Sequence, residues 1–257
     1  PVFDAGDVFN HWKPSPWLLT RAYELLPDKI ITTAGNHDLP EDSIKLFYKC
    51  GLNILDYIDR IYVLLNGQSF TYSNFCIYGI PYGELKYHTV DPFEPGDSKI
   101  NVLLIHEMIW ETDNEPWPDA EGIPAWQIME RFRNADLIVS GHHHTGFFHH
   151  TVDQTLINPG PIMRISADKE KYKPRVYLYF EDGSVEPVYL PIEKNVIDRS
   201  YIDDKKDTDE RVEAFISKMQ STKKGTINFR QRLSDYLAKN ANKVNSKIKD
   251  LIWSSLE

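Results

Sequence analysis

Short runs of apolar residues recur along the chain, and each run ends in polar or glycine-rich residues. Uninterrupted apolar runs of this kind are typical of buried strands, whereas apolar positions three and four residues apart are typical of amphipathic helices. The pattern predicts strands within residues 1–7, 29–38, 60–83, 99–107 and 135–144, and helices at 16–26, 42–51 and 122–134.

Antiparallel hairpins follow this alternation of strands and helices. The stretch "FFHHTVDQTLINPGP" and the two apolar runs around the turn signal "EDG" at 181–183 indicate paired strands. Strand–helix units followed by hairpins predict a layered α/β domain with mixed sheets, and we assign it to residues 1–193.

The character of the chain changes at about residue 194. A highly charged stretch is followed by a segment with helical periodicity, which predicts a charged linker and a small helical appendage at 194–257. Residues 218–249 hold nine basic residues against the single acidic Asp235, whereas the whole chain has a net charge of −9. This asymmetry indicates either a polyanionic or acidic partner, or only a solvated helix face.

Composition excludes several classes of protein. No run approaches the roughly 18 apolar residues that a membrane span requires, and no signal peptide is recognisable. Two cysteines, Cys50 and Cys76, are too few for a disulfide framework or a thiolate metal site. We therefore expect a cytoplasmic protein with reduced thiols and no membrane association.

Polar residues with metal-binding side chains follow four of the predicted strands. The carboxyl ends of strands in α/β proteins converge, so residues placed there tend to share one site. Carboxylate, amide and imidazole donors together suit Mn, Fe or Zn better than Ca or Mg, and the absence of thiolates disfavours a structural zinc site. These residues are Asp7, then Asn36, His37 and Asp38, then His106, then His142, His143 and His144.

In this order, "GDVF", "GNHD", "IHE" and "GHHH" resemble the motifs of the calcineurin-like metallophosphoesterase superfamily. The resemblance covers about residues 1–190. It implies a four-layer αββα sandwich of two mixed sheets and a centre of two divalent metal ions. A metal-bridging hydroxide would attack the phosphodiester in line, because two cations lower the pKa of the bridging water and neutralise the phosphate oxygens.

The resemblance also implies a role for each motif residue. Asp7 would bridge the two metals, and His37 would be the catalytic histidine near the substrate oxygen, with Asp38 orienting it. The second metal would be bound by Asn36, His106 and His142, and the first by His144.

One family motif has no counterpart in the chain. The Asp-x-His motif that precedes "GD" on the first strand is absent, and only six residues precede Asp7. Either an N-terminal strand is missing from the sequence, or the protein is a degenerate, non-catalytic scaffold. The chain begins with Pro1 instead of methionine, and the set for the second metal is otherwise complete, so we expect truncation.

Within the superfamily, "GDVFNHWKPS" resembles the SbcD-type branch of DNA double-strand-break repair nucleases. His11 falls where that branch places an extra active-site histidine, and we expect it to contact a phosphate or the leaving group. The resemblance implies DNA as the substrate and manganese as the metal, with iron or zinc as alternatives. It also implies an SbcC-type coiled-coil ATPase docked on the C-terminal helices, and it is compatible with a homodimer.

A second enzyme class is compatible with the same motifs. A phosphomonoesterase or cyclic-nucleotide phosphodiesterase would need a small closed pocket, which the Trp-rich stretch 107–126 could form.

Overall fold

The structure is a computed structural model that describes residues 1–94, 99–113, 115–117, 120–164 and 169–193, together with Tyr236 and Lys239. The chain divides into two units, Pro1–Ile197 and Asp198–Glu257. The predicted linker and appendage at 194–257 lie outside the described residues except for Tyr236 and Lys239, so that assignment stays a prediction.

Two sheets dominate the described part of the first unit. The smaller sheet consists of β1 (Val2–Phe3), β2 (Ile30–Thr33) and β3 (Ile61–Leu64). The larger consists of β4 (Ser69–Tyr72), β5 (Phe75–Ile80), β6 (Ile100–Glu107), β9 (Leu137–His142), β10 (Phe147–His150) and β11 (Thr155–Asn158). The smaller sheet has the order β1-β2-β3 with all strands parallel, and the larger has the order β10-β11-β9-β6-β5-β4 with parallel and antiparallel pairs.

Two strand pairs, three α-helices and short 3₁₀ turns accompany the two sheets. A parallel pair is formed by β7 (Ile109–Trp110) and β8 (Ile123–Pro124), and an antiparallel hairpin by β12 (Arg175–Tyr179) and β13 (Val185–Tyr189). The helices are α1 (Pro16–Leu25), α2 (Gly51–Tyr57) and α3 (Ala125–Arg131).

Alternating residues of the central strand β6 face two different cores. Val102 and Leu104 belong to an apolar cluster between the sheets, which also contains Ile31 of the smaller sheet. Leu103 and Ile105 belong to a second cluster with residues of α3. Because successive side chains of a strand point to opposite faces, one strand buried on both sides supplies both cores.

A third cluster covers the other face of the smaller sheet. Ile30, next to Ile31, packs with Ile61 and with Leu52 and Leu55 of α2, and α1 contributes partly buried residues. The layers therefore run helix, sheet, sheet, helix, which confirms the predicted four-layer α/β fold. Mixed strand directions occur in the larger sheet, whereas the described strands of the smaller sheet are all parallel.

The predicted helix at 42–51 is wrong. Its residues form 3₁₀ turns at Pro40–Asp42 and Ile44–Lys49, and Gly51 begins α2 instead of ending a helix. The Cys50 thiol caps α2 by accepting the backbone N–H of Asn53 at 3.4 Å. A side chain at position 51 would collide with Pro14, so glycine is needed for packing and not for a helix stop.

Asn66 and Gly67, a pair that is frequent in hairpin turns, do not close a hairpin here. Strand β3 before them belongs to the smaller sheet, and β4 after them belongs to the larger. The turn therefore carries the chain between sheets, while the next turn does join the antiparallel pair β4 and β5. None of the helices in the described part of the chain is long and apolar enough to cross a membrane.

Candidate metal centre

Side chains from the ends of four strands meet at one edge of the two sheets. Asp7 follows β1, Asn36 follows β2, and His106 and His142 lie at the ends of the paired strands β6 and β9. The strands of each pair are parallel, so their carboxyl ends share an edge. The structure thus brings together the four residues predicted for the second metal.

The donor atoms of these residues lie close enough to share one cation. His106 Nε2 lies 3.3 Å from Asp7 Oδ2 and 3.2 Å from Asn36 Oδ1, and His142 Nδ1 lies 3.0 Å from Asn36 Oδ1. Donors about 2.1 Å from one ion are separated by about 3.0 Å at octahedral and about 3.4 Å at tetrahedral angles. The three distances fit this range.

The tautomer of His106, that is, which of its ring nitrogens carries the proton, supports the same interpretation. Its Nδ1–H donates to the Ala5 carbonyl oxygen at 2.6 Å, so in the neutral imidazole Nε2 carries a lone pair. That lone pair faces two oxygen acceptors, those of Asp7 and Asn36. Three acceptors facing one another need a proton or a cation between them, and a histidine fixed by a backbone carbonyl is the usual form of a metal ligand.

The donor set depends on the amide of Asn36. Among the described residues, no group of three or more His, Cys, Asp or Glu side chains forms a metal site by itself. The amide oxygen lies within 3.2 Å of both imidazoles and joins them into one cluster. Protein donors of this number leave coordination positions for water or substrate, as in catalytic sites.

Charges in the cluster are strongly coupled. Burial works against the charged forms of both Asp7 and His106, but the contact between them lowers the pKa of Asp7 and raises the pKa of His106. Burial, reinforced by the neighbouring His106, lowers the pKa of His142 to about 4. His142 is therefore neutral near pH 7, the form that binds a metal.

Glycines make this close approach possible. A Cβ at Gly35 would lie 2.1 Å from Asp7 Oδ1, and a Cβ at Gly6 or Gly141 would lie 2.7 or 2.8 Å from His106 Nδ1. Any side chain at these positions would displace the carboxylate or the imidazole. The glycines of "GD", "GN" and "GH" are thus needed for packing around the centre.

Two of the converging residues have left-handed backbones. The φ angles are 60° for Asp7 and 75° for His142, a region that non-glycine residues rarely adopt. His142 is the last residue of β9, so the regular alternation of side chains along the strand ends there. Strained residues of this kind concentrate at functional sites, where the surrounding structure holds them.

His37 lies beside the cluster and is exposed. Its backbone N–H donates to Asp7 Oδ1 at 2.8 Å, and its ring Nδ1–H donates to the Asn10 carbonyl oxygen at 3.1 Å. The ring is thereby held with Nε2 free of these contacts. This placement agrees with the expected position at the substrate side, and its catalytic role stays a prediction.

Asp38 has a different environment from the one expected. Its fully buried carboxylate accepts the backbone N–H groups of Asp7 at 2.7 Å, Gly35 at 3.0 Å and Phe9 at 3.2 Å. Burial raises its pKa to about 7, against the effect of these hydrogen bonds. In the structure Asp38 orients the loops that carry Asp7 and Asn36, whereas the His37 ring is oriented by Asn10.

His11 is exposed and lies on the same loop as Asn10. Its Nδ1 accepts the backbone N–H of Lys13 at 3.0 Å, and its ring stacks on Trp12 with the centroids 5.4 Å apart. These contacts close a local turn and leave Nε2 outside them. Its contact with substrate stays a prediction.

His144 is exposed beyond the end of β9. Its backbone oxygen lies 3.4 Å from Lys169 Nζ, and its charge contributes to lowering the pKa of His142. Its role as ligand of the first metal stays a prediction. The neighbouring His143 faces elsewhere, with its ring Nδ1–H donating to the Ile109 carbonyl oxygen at 2.9 Å.

Sequence reasoning missed Tyr82. Its ring centroid lies 5.2 Å from that of His142 and 6.2 Å from that of His106, so the tyrosine covers both imidazoles. Tyr82 follows the end of β5, and the strand-end rule that selected the histidines would also have selected it. The prediction does not include Tyr82 because the rule was restricted to metal-binding side chains.

Comparison with known proteins places these motifs in a family. The family described as calcineurin-like phosphoesterase matches residues 2–146, which include every residue of the cluster. None of the curated proteins matches the chain.

Several solved structures are similar at low identity. An archaeal phosphodiesterase is 16% identical over 74% of this chain and 82% of its own, with a TM-score of 0.39. A Staphylococcus aureus protein described as a 5′-nucleotidase is 17% identical over 76% and 46%, with a TM-score of 0.41. Vps29 from Entamoeba histolytica, complexed with zinc, is 17% identical over 74% and 96%, with a TM-score of 0.30. Similarities at this level carry no information on the reaction of the present chain.

Proposed function

Because this chain belongs to the calcineurin-like phosphoesterase family, we propose that it is a metal-dependent phosphodiesterase, and specifically a DNA nuclease of SbcD type. Membership implies a phosphoester hydrolase, and the family generally uses two divalent metal ions. The nuclease activity, the choice of manganese and a role in DNA repair in the cytoplasm are our proposals.

One observation carries the phosphodiesterase proposal. His106 Nε2 lies 3.3 Å from Asp7 Oδ2 and 3.2 Å from Asn36 Oδ1, beside an exposed His37. Bound divalent ions would supply a water of lowered pKa and positive charge for the phosphate oxygens. Asp7, Asn36, His106 and His142 are the residues that would hold the second ion, and Asp7 and His144 would contribute to the first.

We propose that His37 supplies the proton transfer and part of the charge stabilisation. Its Nδ1–H is engaged by Asn10, so a proton can be exchanged with a substrate oxygen only at Nε2. In the protonated state that nitrogen can stabilise negative charge on the phosphate or protonate the leaving oxygen. We propose that His11, one residue after Asn10, contacts the same phosphate or leaving group.

The stretch "GDVFNHWKPS" supports the SbcD-type assignment. The structure uses it in a defined way: Asn10 orients the His37 ring, and Ser15 caps α1 by accepting the backbone N–H of Leu18 at 3.2 Å. An SbcC-type ATPase bound by the C-terminal segment is the partner we propose, since the net charge of −9 disfavours extensive DNA binding by this chain alone.

The proposal is tested with bis(p-nitrophenyl) phosphate and a duplex oligonucleotide, each with Mn²⁺ or with EDTA. We expect Mn-dependent hydrolysis of both, reduced about 100-fold or more in His37→Ala. His149→Gln is the matched histidine control. Hydrolysis that persists in EDTA or in His37→Ala would contradict the mechanism.

The same assay addresses the alternative enzyme class. A phosphomonoesterase or cyclic-nucleotide phosphodiesterase would turn over small substrates and leave the duplex intact. A chain without bound transition metal and without activity on either substrate would be the non-catalytic scaffold.

A further inference from the structure

A cleft of about 360 Å³ lies beside His144, at the edge that carries the candidate metal centre. Four cationic side chains line it, and none of the described residues that line it is acidic. Its lining includes His144, Lys169, Lys171, Lys173, Arg175 and Tyr189. We refer to it as the basic cleft.

This concentration of positive charge contrasts with the net charge of the whole chain, which is −9. A second cleft of about 500 Å³ has the opposite character, with four acidic residues and no lysine or arginine in its lining. It lies at the start of β6, at the opposite end of the strands from the candidate centre. An anionic ligand is therefore attracted to one end of the larger sheet and repelled from the other.

The four cations occur at every second position from 169 to 175. The segment from 172 to 174 has neither helix nor strand hydrogen bonding, and Arg175 begins β12. The segment from 169 to 175 begins with a turn, in which the Tyr172 backbone N–H donates to the Lys169 carbonyl oxygen at 3.0 Å, and six residue steps reach at most about 20 Å even in a fully extended chain. Successive phosphates of a DNA strand are about 3.4 Å apart along the axis, so four cations on such a segment can contact more than one phosphate. The spacing thus suits several phosphates in series.

Packing holds the walls of the basic cleft in place. The Tyr172 hydroxyl donates to the Pro159 carbonyl oxygen at 3.0 Å, and the Arg175 guanidinium lies 5.4 Å from the ring centroid of Tyr177. A Cβ at Gly146 would lie 3.0 Å from Arg175 Nη2, so glycine lets the guanidinium approach the backbone. The buried Nε of Arg175 has no hydrogen-bond partner among the described residues.

We propose that the basic cleft binds the phosphodiester backbone of a nucleic-acid strand whose scissile phosphate lies at the candidate metal centre. The inference rests on the proposed phosphodiesterase function and names a binding site for its substrate. Tyr189, with 55% of its surface exposed, provides a face on which a base can stack. His144 belongs to both the cleft and the predicted ligand set, and connects the two.

The experiment is fluorescence anisotropy with a labelled single-stranded oligonucleotide of about 16 nucleotides, in EDTA so that no hydrolysis occurs. The double variant Lys171→Gln/Lys173→Gln changes two exposed residues and should fold normally. We expect about tenfold weaker binding and, between about 50 and 200 mM salt, a log–log slope smaller by about 1.4, since each contact with a single strand contributes about 0.7.

The matched control is Lys29→Gln/Lys99→Gln, which removes the same charge just before β2 and β6, at the opposite end of the strands. It should bind as the wild type does. Equal affinity and salt slope in the wild type and the cleft variant, or no binding by the wild type, would overturn the inference. The inference would also be overturned if the cleft variant lost affinity for a duplex oligonucleotide but bound the single strand as the wild type does.

Hydrolysis of bis(p-nitrophenyl) phosphate by the wild type separates the two proposals. This small substrate cannot span the row of lysines, so its Mn-dependent turnover reports on the metal centre alone. Turnover with unaltered oligonucleotide binding in the variant removes the cleft assignment and leaves the phosphodiesterase. Absence of turnover together with the expected binding change removes the phosphodiesterase and leaves a nucleic-acid-binding cleft.

Discussion

The imidazole of His106 donates a hydrogen bond from Nδ1 to the carbonyl oxygen of Ala5 at 2.6 Å. His106 lies near the carboxyl end of a strand of the larger sheet, and Ala5 follows the first strand of the smaller one. The contact therefore connects the two sheets at the edge where the candidate ligands meet. It also fixes which imidazole nitrogen faces Asp7 and Asn36.

Gly141→Ala should break this contact. The added Cβ would lie 2.5 Å from the Ala5 oxygen and 2.8 Å from His106 Nδ1, distances that require the imidazole to move. We expect a loss of about 2–4 kcal/mol in the free energy of unfolding, measured with urea, and a loss of Mn²⁺ binding. Gly183→Ala is the control, because its Cβ meets nothing within 4 Å and only the positive φ costs stability, about 1 kcal/mol. A Gly141→Ala protein as stable as the control would contradict the packing argument.

His142→Ala and His143→Ala should differ in metal affinity although the residues are neighbours. His142 faces Asn36 in the cluster, whereas the His143 ring is bound to the Ile109 carbonyl oxygen. We expect Mn²⁺ to raise the melting temperature of the wild type and of His143→Ala, since a ligand of the native state stabilises it. In His142→Ala the calorimetric affinity should fall about 10- to 100-fold. Equal affinities in the two variants would remove His142 from the ligand set.

Asp38→Ala and His37→Ala should separate stability from catalysis. Removing the Asp38 carboxylate leaves three backbone N–H groups without an acceptor, so the metal-free protein should lose on the order of 3 kcal/mol in urea denaturation. His37 is exposed and its backbone bond to Asp7 survives substitution, so its variant should lie within about 0.5 kcal/mol of the wild type. A stable Asp38→Ala protein would show that the loops are held by other contacts.

His88 should make the stability of the protein depend on pH. Burial lowers the pKa of His88 below its ordinary value of 6.5, and its Nδ1 lies 3.1 Å from the Tyr78 hydroxyl. As the pH falls, the His88 side chain is protonated in the unfolded chain before it is protonated in the folded protein. The contribution of His88 to the free energy of unfolding is therefore fully present above pH 6.5, and it is lost as the pH falls through the lowered pKa of the folded state. The melting temperature of His88→Gln should therefore fall less than that of the wild type between about pH 7.5 and 5. Parallel pH profiles would contradict the assignment.

Sequence patterns were sufficient to predict the strands that carry the candidate site. The long apolar run of β6 has to be buried on both faces, and the polar residue after each such run has to lie at the edge of a sheet. These two constraints predicted the layered α/β fold and the convergence of Asp7, Asn36, His106 and His142. They act locally, so they can be recognised without the tertiary structure.

Local patterns failed where distant residues determine the conformation. The segment 42–51 has helical spacing, but Gly51 packs against Pro14 and starts the next helix. Asn66 and Gly67 form a turn, yet the strands on either side belong to different sheets. The local sequence indicates that a turn forms at these residues, but it does not indicate whether the strands on either side pair with each other.

The sequence by itself therefore determined which residues stand at the strand ends and which chemistry they offer. Only the tertiary structure decided which of their atoms face one another. The orientation of His106 by Ala5, the use of Asp38 to hold backbone amides, and the place of Tyr82 over two imidazoles depend on contacts between residues far apart in the chain. Hydrogen bonds and close packing act on distances between atoms, and those distances exist only once the two sheets have packed.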